Sequence, residues 1–107
     1  MQIDPRPPTA KNPPENFTGD VWLDPIAHPR DDGQRMFVAK VRFSPGARTA
    51  WHSHARGQTL HITQGVAWVQ SRDEQKQVAY PARRCTARPA RSTGTAPRRT
   101  LSWSTWP

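Results

Sequence analysis

Alternating apolar and polar residues in the middle of the chain predict β-strands. The clearest case is residues 35–43, where every second side chain is apolar: Phe37, Ala39, Val41 and Phe43. Successive side chains of a strand point to opposite faces of the sheet. We therefore expect this apolar row to face the protein interior.

Five further short segments predict strands: residues 17–23, 49–54, 58–64, 66–70 and 76–80. Turn residues separate them, among them Asp24-Pro25, the Pro- and Asp-containing loop 26–34, and Ser44-Pro45-Gly46. Short strands with frequent turns and no amphipathic helical pattern are typical of an all-β, antiparallel barrel or sandwich. This interpretation covers residues 16–81.

The two ends of the chain have a different composition. Residues 1–15 contain five prolines and few side chains that could pack, so they are expected to form a disordered arm. Residues 82–107 show no clear alternation and contain six arginines but no acidic residue. They are expected to form a basic tail of low order.

Charge and composition narrow the expected partners. The net charge of +8 arises mostly in residues 82–107, which carry no nucleic-acid-binding motif, so a nucleic-acid partner is not expected. No apolar run approaches the roughly 18 residues of a membrane span, and residues 1–15 lack the apolar stretch of a signal peptide. With Cys85 as the sole cysteine, no intrachain disulfide can form, and a cytoplasmic location is expected.

Three potential metal ligands lie close together in the sequence: His52, His54 and Gln58. If residues 49–54 form a strand, the two imidazoles project from one face, and Gln58 begins the next strand. Imidazole nitrogens bind several transition metals, and an amide oxygen favours Mn(II) or Fe(II) over copper. An isolated His-x-His pair is more often a chance pair on an exposed strand than a metal site.

Here the pair stands within a longer pattern. Gly46, five residues, His52-x-His54, three residues, Gln58, six residues and Gly65 resemble the first signature of the cupin family, with glutamine where most cupins have glutamate. The segments Phe17-Thr18-Gly19, Asp24-Pro25 and PGARTAWHSHARGQTL (residues 45–60) are similar to small manganese-dependent cupins of the (R)-mandelonitrile lyase type, some of them associated with carboxymuconolactone decarboxylases. The resemblance spans residues 16–81 and implies a jelly-roll barrel.

The same resemblance implies a second signature, whose histidine completes the metal site, and this chain has no histidine after His61. Strand alternation makes His61 a poor substitute, and His28 lies in a proline-flanked loop. Each codon can instead be read from the third base of one residue's codon through the first two bases of the next. In that frame the segment from Arg88 to Pro97 can encode Pro-Pro-Gly-Glu-Val-His-Trp-His-Gly-Ala, which has the pattern of the second signature. We therefore suspect that residues 82–107 are a frameshifted translation of that half, which would leave the barrel incomplete.

The resemblance implies a metal-dependent lyase acting on a small-molecule substrate, with Mn(II) as the first choice and Fe(II), Ni(II) or Zn(II) as alternatives. Ala39, Val41 and Phe43 would shape the substrate pocket, and homo-oligomers are expected as in other cupins. A non-catalytic cupin that holds a small ligand or metal is the alternative function. Because this chain has only three of the four expected metal ligands, the resemblance does not establish that the chain itself is active.

Overall fold

The structure, a computed structural model, describes residues 1–31, 33–71 and 74–87, together with the backbone of residues 101–105. These residues contain strands and no helix, as the sequence predicted. The strands are β1 (Ala10–Lys11), β2 (Phe17–Thr18), β3 (Val21–Ala27), β4 (Val38–Phe43), β5 (Arg48–Thr49), β6 (Gln58–His61), β7 (Ala67–Ser71), β8 (Gln77–Ala79), β9 (Arg84–Ala87) and β10 (Leu101–Thr105).

The described strands form three antiparallel sheets. A three-stranded sheet has the order β1-β3-β4, a five-stranded sheet has the order β2-β5-β10-β7-β8, and β6 pairs with β9. Strands that are neighbours in a sheet are often distant in sequence. For example, Ser104 of β10 pairs with Arg48 of β5 and also with Trp68 of β7. The all-β, antiparallel architecture predicted from the sequence is confirmed.

Strand β4 shows the predicted alternation. Ala39, Val41 and Phe43 are half-buried, whereas Val38, Lys40 and Arg42 are exposed. The prediction was wrong for Phe37, which precedes the strand, is exposed, and packs its ring against that of His28 at a centroid distance of 4.9 Å.

Strand β3 continues through the expected turn at Asp24-Pro25. It pairs with β4 as far as Ala27, with a register shift between Pro25 and Ala27. Proline is tolerated here because β1 reaches only to Leu23, so Pro25 lies where β3 has a partner strand on one side only. The expected turn is therefore replaced by an irregularity within a longer strand.

The segment from 49 to 54 is not the continuous strand that the sequence predicted. Only Arg48–Thr49 forms β5, and the chain then enters a turn in which the Gly57 N–H donates to the His54 carbonyl over 3.1 Å. Gly57 has a φ of +81°, a backbone conformation that glycine adopts without steric cost. The turn therefore begins at His54, the last residue of the predicted strand, and residues 50–53 do not extend β5.

Both ends of the chain contribute strands that the sequence analysis did not expect. Ala10–Lys11 of the proline-rich arm pairs with β3, and the Asn12 N–H donates to the Val21 carbonyl over 2.8 Å. In the segment from 82 onwards, β9 pairs with β6 and β10 lies at the centre of the five-stranded sheet. The frameshift hypothesis concerns residues 88–100 above all, and these lie outside the described residues.

The most deeply buried side chains are small. Val21 is fully buried, Ala47 is nearly so, and Ile62, Ala67 and Ala79 form a cluster against which Cys85 packs. The part of the chain that the structure describes contains no helix long and apolar enough to cross a membrane.

Candidate functional site

His52 and His54 lie in the irregular segment between β5 and β6, and Gln58 is the first residue of β6. The two imidazole rings are neighbours, with centroids 4.9 Å apart and planes at 85°. The structure therefore brings the two histidines together, although the segment that carries them is not a strand.

A hydrogen bond fixes the orientation of the His52 ring. Its Nδ1 lies 2.8 Å from the Ala50 carbonyl oxygen. A carbonyl oxygen only accepts hydrogen bonds, so Nδ1 carries the hydrogen and the lone pair is on Nε2. Histidines that bind metals characteristically donate their other ring N–H to such a partner.

Two buried polar atoms of the predicted ligand residues have no hydrogen-bond partner among the described residues. They are Nε2 of His54 and Oε1 of Gln58. Buried polar atoms are nearly always paired, and an exception calls for an explanation such as a bound ion or water. The Gln58 oxygen carries lone pairs, and His54 Nε2 carries one in the tautomer with its hydrogen on Nδ1; a cation would coordinate these lone pairs.

The electrostatics of the site favour neutral histidine. Burial, followed by the charge of His52, holds the pKa of His54 below its usual value. A neutral imidazole offers its nitrogen lone pair to a metal, whereas an imidazolium offers none. The donor set of two imidazoles and one amide oxygen fits a divalent transition metal.

The other histidines are placed elsewhere. His61 is exposed and pairs across the sheet with Arg84, and His28 packs against Phe37. Within the described residues, no group of three or more His, Cys, Asp or Glu side chains gathers into a metal site. The candidate site is therefore limited to the pair and the glutamine.

Gln58 shares its face of β6 with Leu60, and both are half-buried. Their partners on β9 are Ala87 and Cys85. Leu60, Cys85 and Ala87 line a cavity of about 270 Å³ together with Val69 of β7. Burial raises the pKa of the Cys85 thiol.

Sequence reasoning missed this cavity because four of its ten lining residues belong to β9, where no strand was expected. For the part of the wall that belongs to β6, the available sequence signal was the alternation of apolar Leu60 with polar His61. The predicted pocket residues Ala39, Val41 and Phe43 line neither this cavity nor a second cavity of about 510 Å³. Their role in a substrate pocket stays a prediction.

No protein-family profile matches the sequence, but similar proteins are found among curated sequences and solved structures. The chain is 47% identical over 62 residues to an (R)-mandelonitrile lyase from Granulicella tundricola. That match covers 58% of this chain and 47% of the relative, so the chain spans about half the length of the curated relative it matches. Its fold is similar to that of a cupin-like protein from Thermotoga maritima, with a TM-score of 0.78 and 27% identity, covering 98% of this chain and 71% of that one.

Proposed function

Because this chain belongs to the cupin superfamily, we propose that His52, His54 and Gln58 hold a divalent metal ion and that the metal-bound protein is a small-molecule lyase. The observation that carries the proposal is the burial of two polar atoms without a hydrogen-bond partner among the described residues, His54 Nε2 and Gln58 Oε1. The hydrogen bond from His52 Nδ1 to Ala50 supports it, since it directs the lone pair of His52 to Nε2. We propose Mn(II) first, with Fe(II), Ni(II) or Zn(II) as alternatives.

When bound, such an ion supplies Lewis acidity, which polarises a carbonyl or hydroxyl oxygen. The chain's own residues hold the ligand atoms: the Ala50 carbonyl orients His52, and the β6 backbone carries Gln58 on its inward face. The proposed reaction is that named for the relative, cleavage of a cyanohydrin. The substrate hydroxyl loses its proton, the C–C bond to the nitrile breaks, and cyanide leaves and takes up a proton.

The metal site is tested by calorimetric titration with Mn(II). We expect weak binding in the unmodified protein, because three protein ligands leave the remaining positions to water. His52→Ala and His54→Ala should abolish that binding. His61→Ala is the matched control, since His61 is an exposed histidine on the neighbouring strand, and it should bind as the unmodified protein does. A titration in which His61→Ala is the most damaged variant would overturn the assignment.

A non-catalytic cupin is the second candidate function, and the lack of any histidine after His61 favours it. The two candidates are separated by following aldehyde release from mandelonitrile with the metal-loaded protein. Turnover that depends on His54 supports the lyase, and metal binding without turnover supports the non-catalytic protein.

We also propose that residues 82–107 represent the second cupin signature in a shifted reading frame. Sequencing the gene around codons 75–85 tests this directly. A frame-corrected protein should bind Mn(II) more tightly and be more soluble than the present chain. If the present chain is monomeric, soluble and fully metallated, the frameshift hypothesis is wrong.

We further propose a cytoplasmic location, since one cysteine cannot close an intrachain disulfide. We also propose that the protein assembles into homo-oligomers.

A further inference from the structure

A second cavity, of about 510 Å³, lies against the five-stranded sheet and shares Gln70 with the first cavity. We call it the outer cleft and define it by six of its lining residues: Thr18, Arg48, Trp51, Trp68, Gln70 and Lys76. Ligand sites for small molecules typically measure about 300–1,000 Å³. The outer cleft is therefore large enough for a small organic ligand.

The register of the sheet places the cleft on one face. Thr18 is paired with Arg48, and the backbone of Ser104 connects Arg48 to Trp68 across the sheet. Residues directly opposite each other in antiparallel strands project to the same side. The neighbouring pair Ala67 and Ala79, both buried, projects to the other side. The cleft thus opens on the outer face of the sheet, opposite the buried alanines.

The charges that line the cleft have one sign. Arg48 and Lys76 are cations, and none of the described lining residues is a carboxylate. Neither cation belongs to an ion pair within the described part of the chain. The Lys76 ammonium instead lies 4.4 Å from the centroid of the Trp68 ring, a cation–π distance. An anion entering the cleft would therefore meet two positive groups among the described lining residues.

The rest of the lining favours a flat apolar ring beside that anion. The cleft contains two indoles, of which Trp51 is 45% exposed and Trp68 is half-buried. The Gln70 amide nitrogen is already engaged, since it donates to the Glu74 carbonyl over 3.1 Å. The guanidinium of Arg48, the ammonium of Lys76 and the hydroxyl of Thr18 are donors that a ligand in the cleft could reach.

We propose that the outer cleft is a binding site for a small aromatic carboxylate. The carboxylate accepts hydrogen bonds from Arg48 and Lys76, and the aromatic ring packs against the exposed indole of Trp51. Arginine matches a carboxylate with two parallel hydrogen bonds, which adds geometric selectivity to the charge. This site does not depend on the proposed metal centre.

The test is an NMR titration of the full chain with benzoate as the probe, in the presence of a metal chelator. We expect shifts concentrated at Thr18, Gln70 and the indole N–H groups of Trp51 and Trp68. Cyclohexanecarboxylate tests the contribution of the aromatic ring, and benzamide tests that of the charge. Benzamide should bind at least about tenfold more weakly than benzoate, because a charge-assisted contact is lost. Cyclohexanecarboxylate should bind about two- to tenfold more weakly, because a stacking contact is lost.

Two variants test the cations, and two serve as controls. Arg48→Gln and Lys76→Gln should each weaken benzoate binding about tenfold or more. Lys40→Gln removes an exposed lysine on β4, in another sheet, and should leave the affinity unchanged. His54→Ala should also leave it unchanged, which separates this site from the metal centre.

Several outcomes would overturn the proposal. Benzamide binding as well as benzoate would remove the role of charge, and loss of binding in His54→Ala would assign the benzoate to the metal centre. Shifts spread evenly over surface lysines and arginines would show unspecific ion pairing. A single-stranded oligonucleotide that displaces benzoate, with an affinity that falls steeply with salt, would show a nucleic-acid site instead. The unmodified protein gives the shift map, so the test does not depend on the variants folding.

Discussion

Replacing Gly19 by alanine tests how the turn between β2 and β3 is packed. Gly19 has a φ of +80°, and a Cβ built on it would lie 2.9 Å from the Ala47 Cβ and 3.0 Å from the Ala47 Cα. Ala47 is 1% exposed, so it has little space into which to retreat. Gly19→Ala should therefore be destabilised by both backbone strain and steric overlap.

The magnitude follows from adding the two effects. A left-handed conformation costs a residue with a Cβ about 1–2 kcal/mol, and overpacking a filled site costs about 1–3 kcal/mol. We expect Gly19→Ala to lower the free energy of unfolding by about 2–5 kcal/mol, a large part of the roughly 5–15 kcal/mol of a typical domain. Gly65→Ala is the matched control, because Gly65 has a φ of +74° but no atom within 4 Å of the added Cβ. It should cost only the strain, about 1–2 kcal/mol.

Urea unfolding followed by circular dichroism measures both variants. With a slope of about 1–3 kcal/mol per molar urea, the midpoint of Gly19→Ala should fall below that of Gly65→Ala by about 1 M. Adding Ala47→Gly to Gly19→Ala should restore part of the loss, since it removes the overlap between the two methyl groups but leaves the backbone of residue 47 in place. Equal midpoints for the two single variants would refute the close approach of Gly19 to Ala47.

Two further predictions concern titratable groups. Hydrogen bonds from Thr9 and Arg42 hold the pKa of Asp24 below its usual value of 3.8. Folding therefore favours the charged form, and its stabilising effect is present above about pH 4 and lost as the pH falls through the lowered pKa. The difference in urea midpoint between the unmodified protein and Asp24→Asn should shrink on acidification, and a constant difference would contradict this cause. Burial raises the pKa of Cys85, so the thiol should react with a disulfide reagent more slowly in the folded protein than in urea, and equal rates would contradict the packing described for it.

Local patterns predicted the central part of the fold. The period-two row of Ala39, Val41 and Phe43 identified β4 because burial on one face of a sheet leaves that imprint on the sequence. Pairing between strands that are distant in sequence produces a weaker pattern in the sequence. Ala10–Lys11 joins β3 from within a proline-rich stretch, and two residues are too few for alternation to be recognised.

β10 shows a different limitation. Its sequence Leu-Ser-Trp-Ser-Thr does alternate, but the arginines and prolines that precede it dominate the average composition of the segment. The sequence predicted that His52 and His54 lie together, but for a partly wrong reason. The adjacency of His52 and His54 does not require a strand, since the turn after β5 and the hydrogen bond to Ala50 bring the rings together.

The central position of β10 has a consequence for synthesis of the protein. β2, β5, β7 and β8 all leave the ribosome before β10, which lies between β5 and β7. At about 5–20 residues per second, translation takes on the order of seconds to reach Thr105 from Ala79. Until β10 is in place, the five-stranded sheet has a vacancy of one strand, flanked by edges of β5 and β7 with unpaired backbone groups. Such edges pair readily with strands of other chains, so the yield of folded protein should depend on how quickly β10 inserts and on chaperones that cover the vacancy meanwhile.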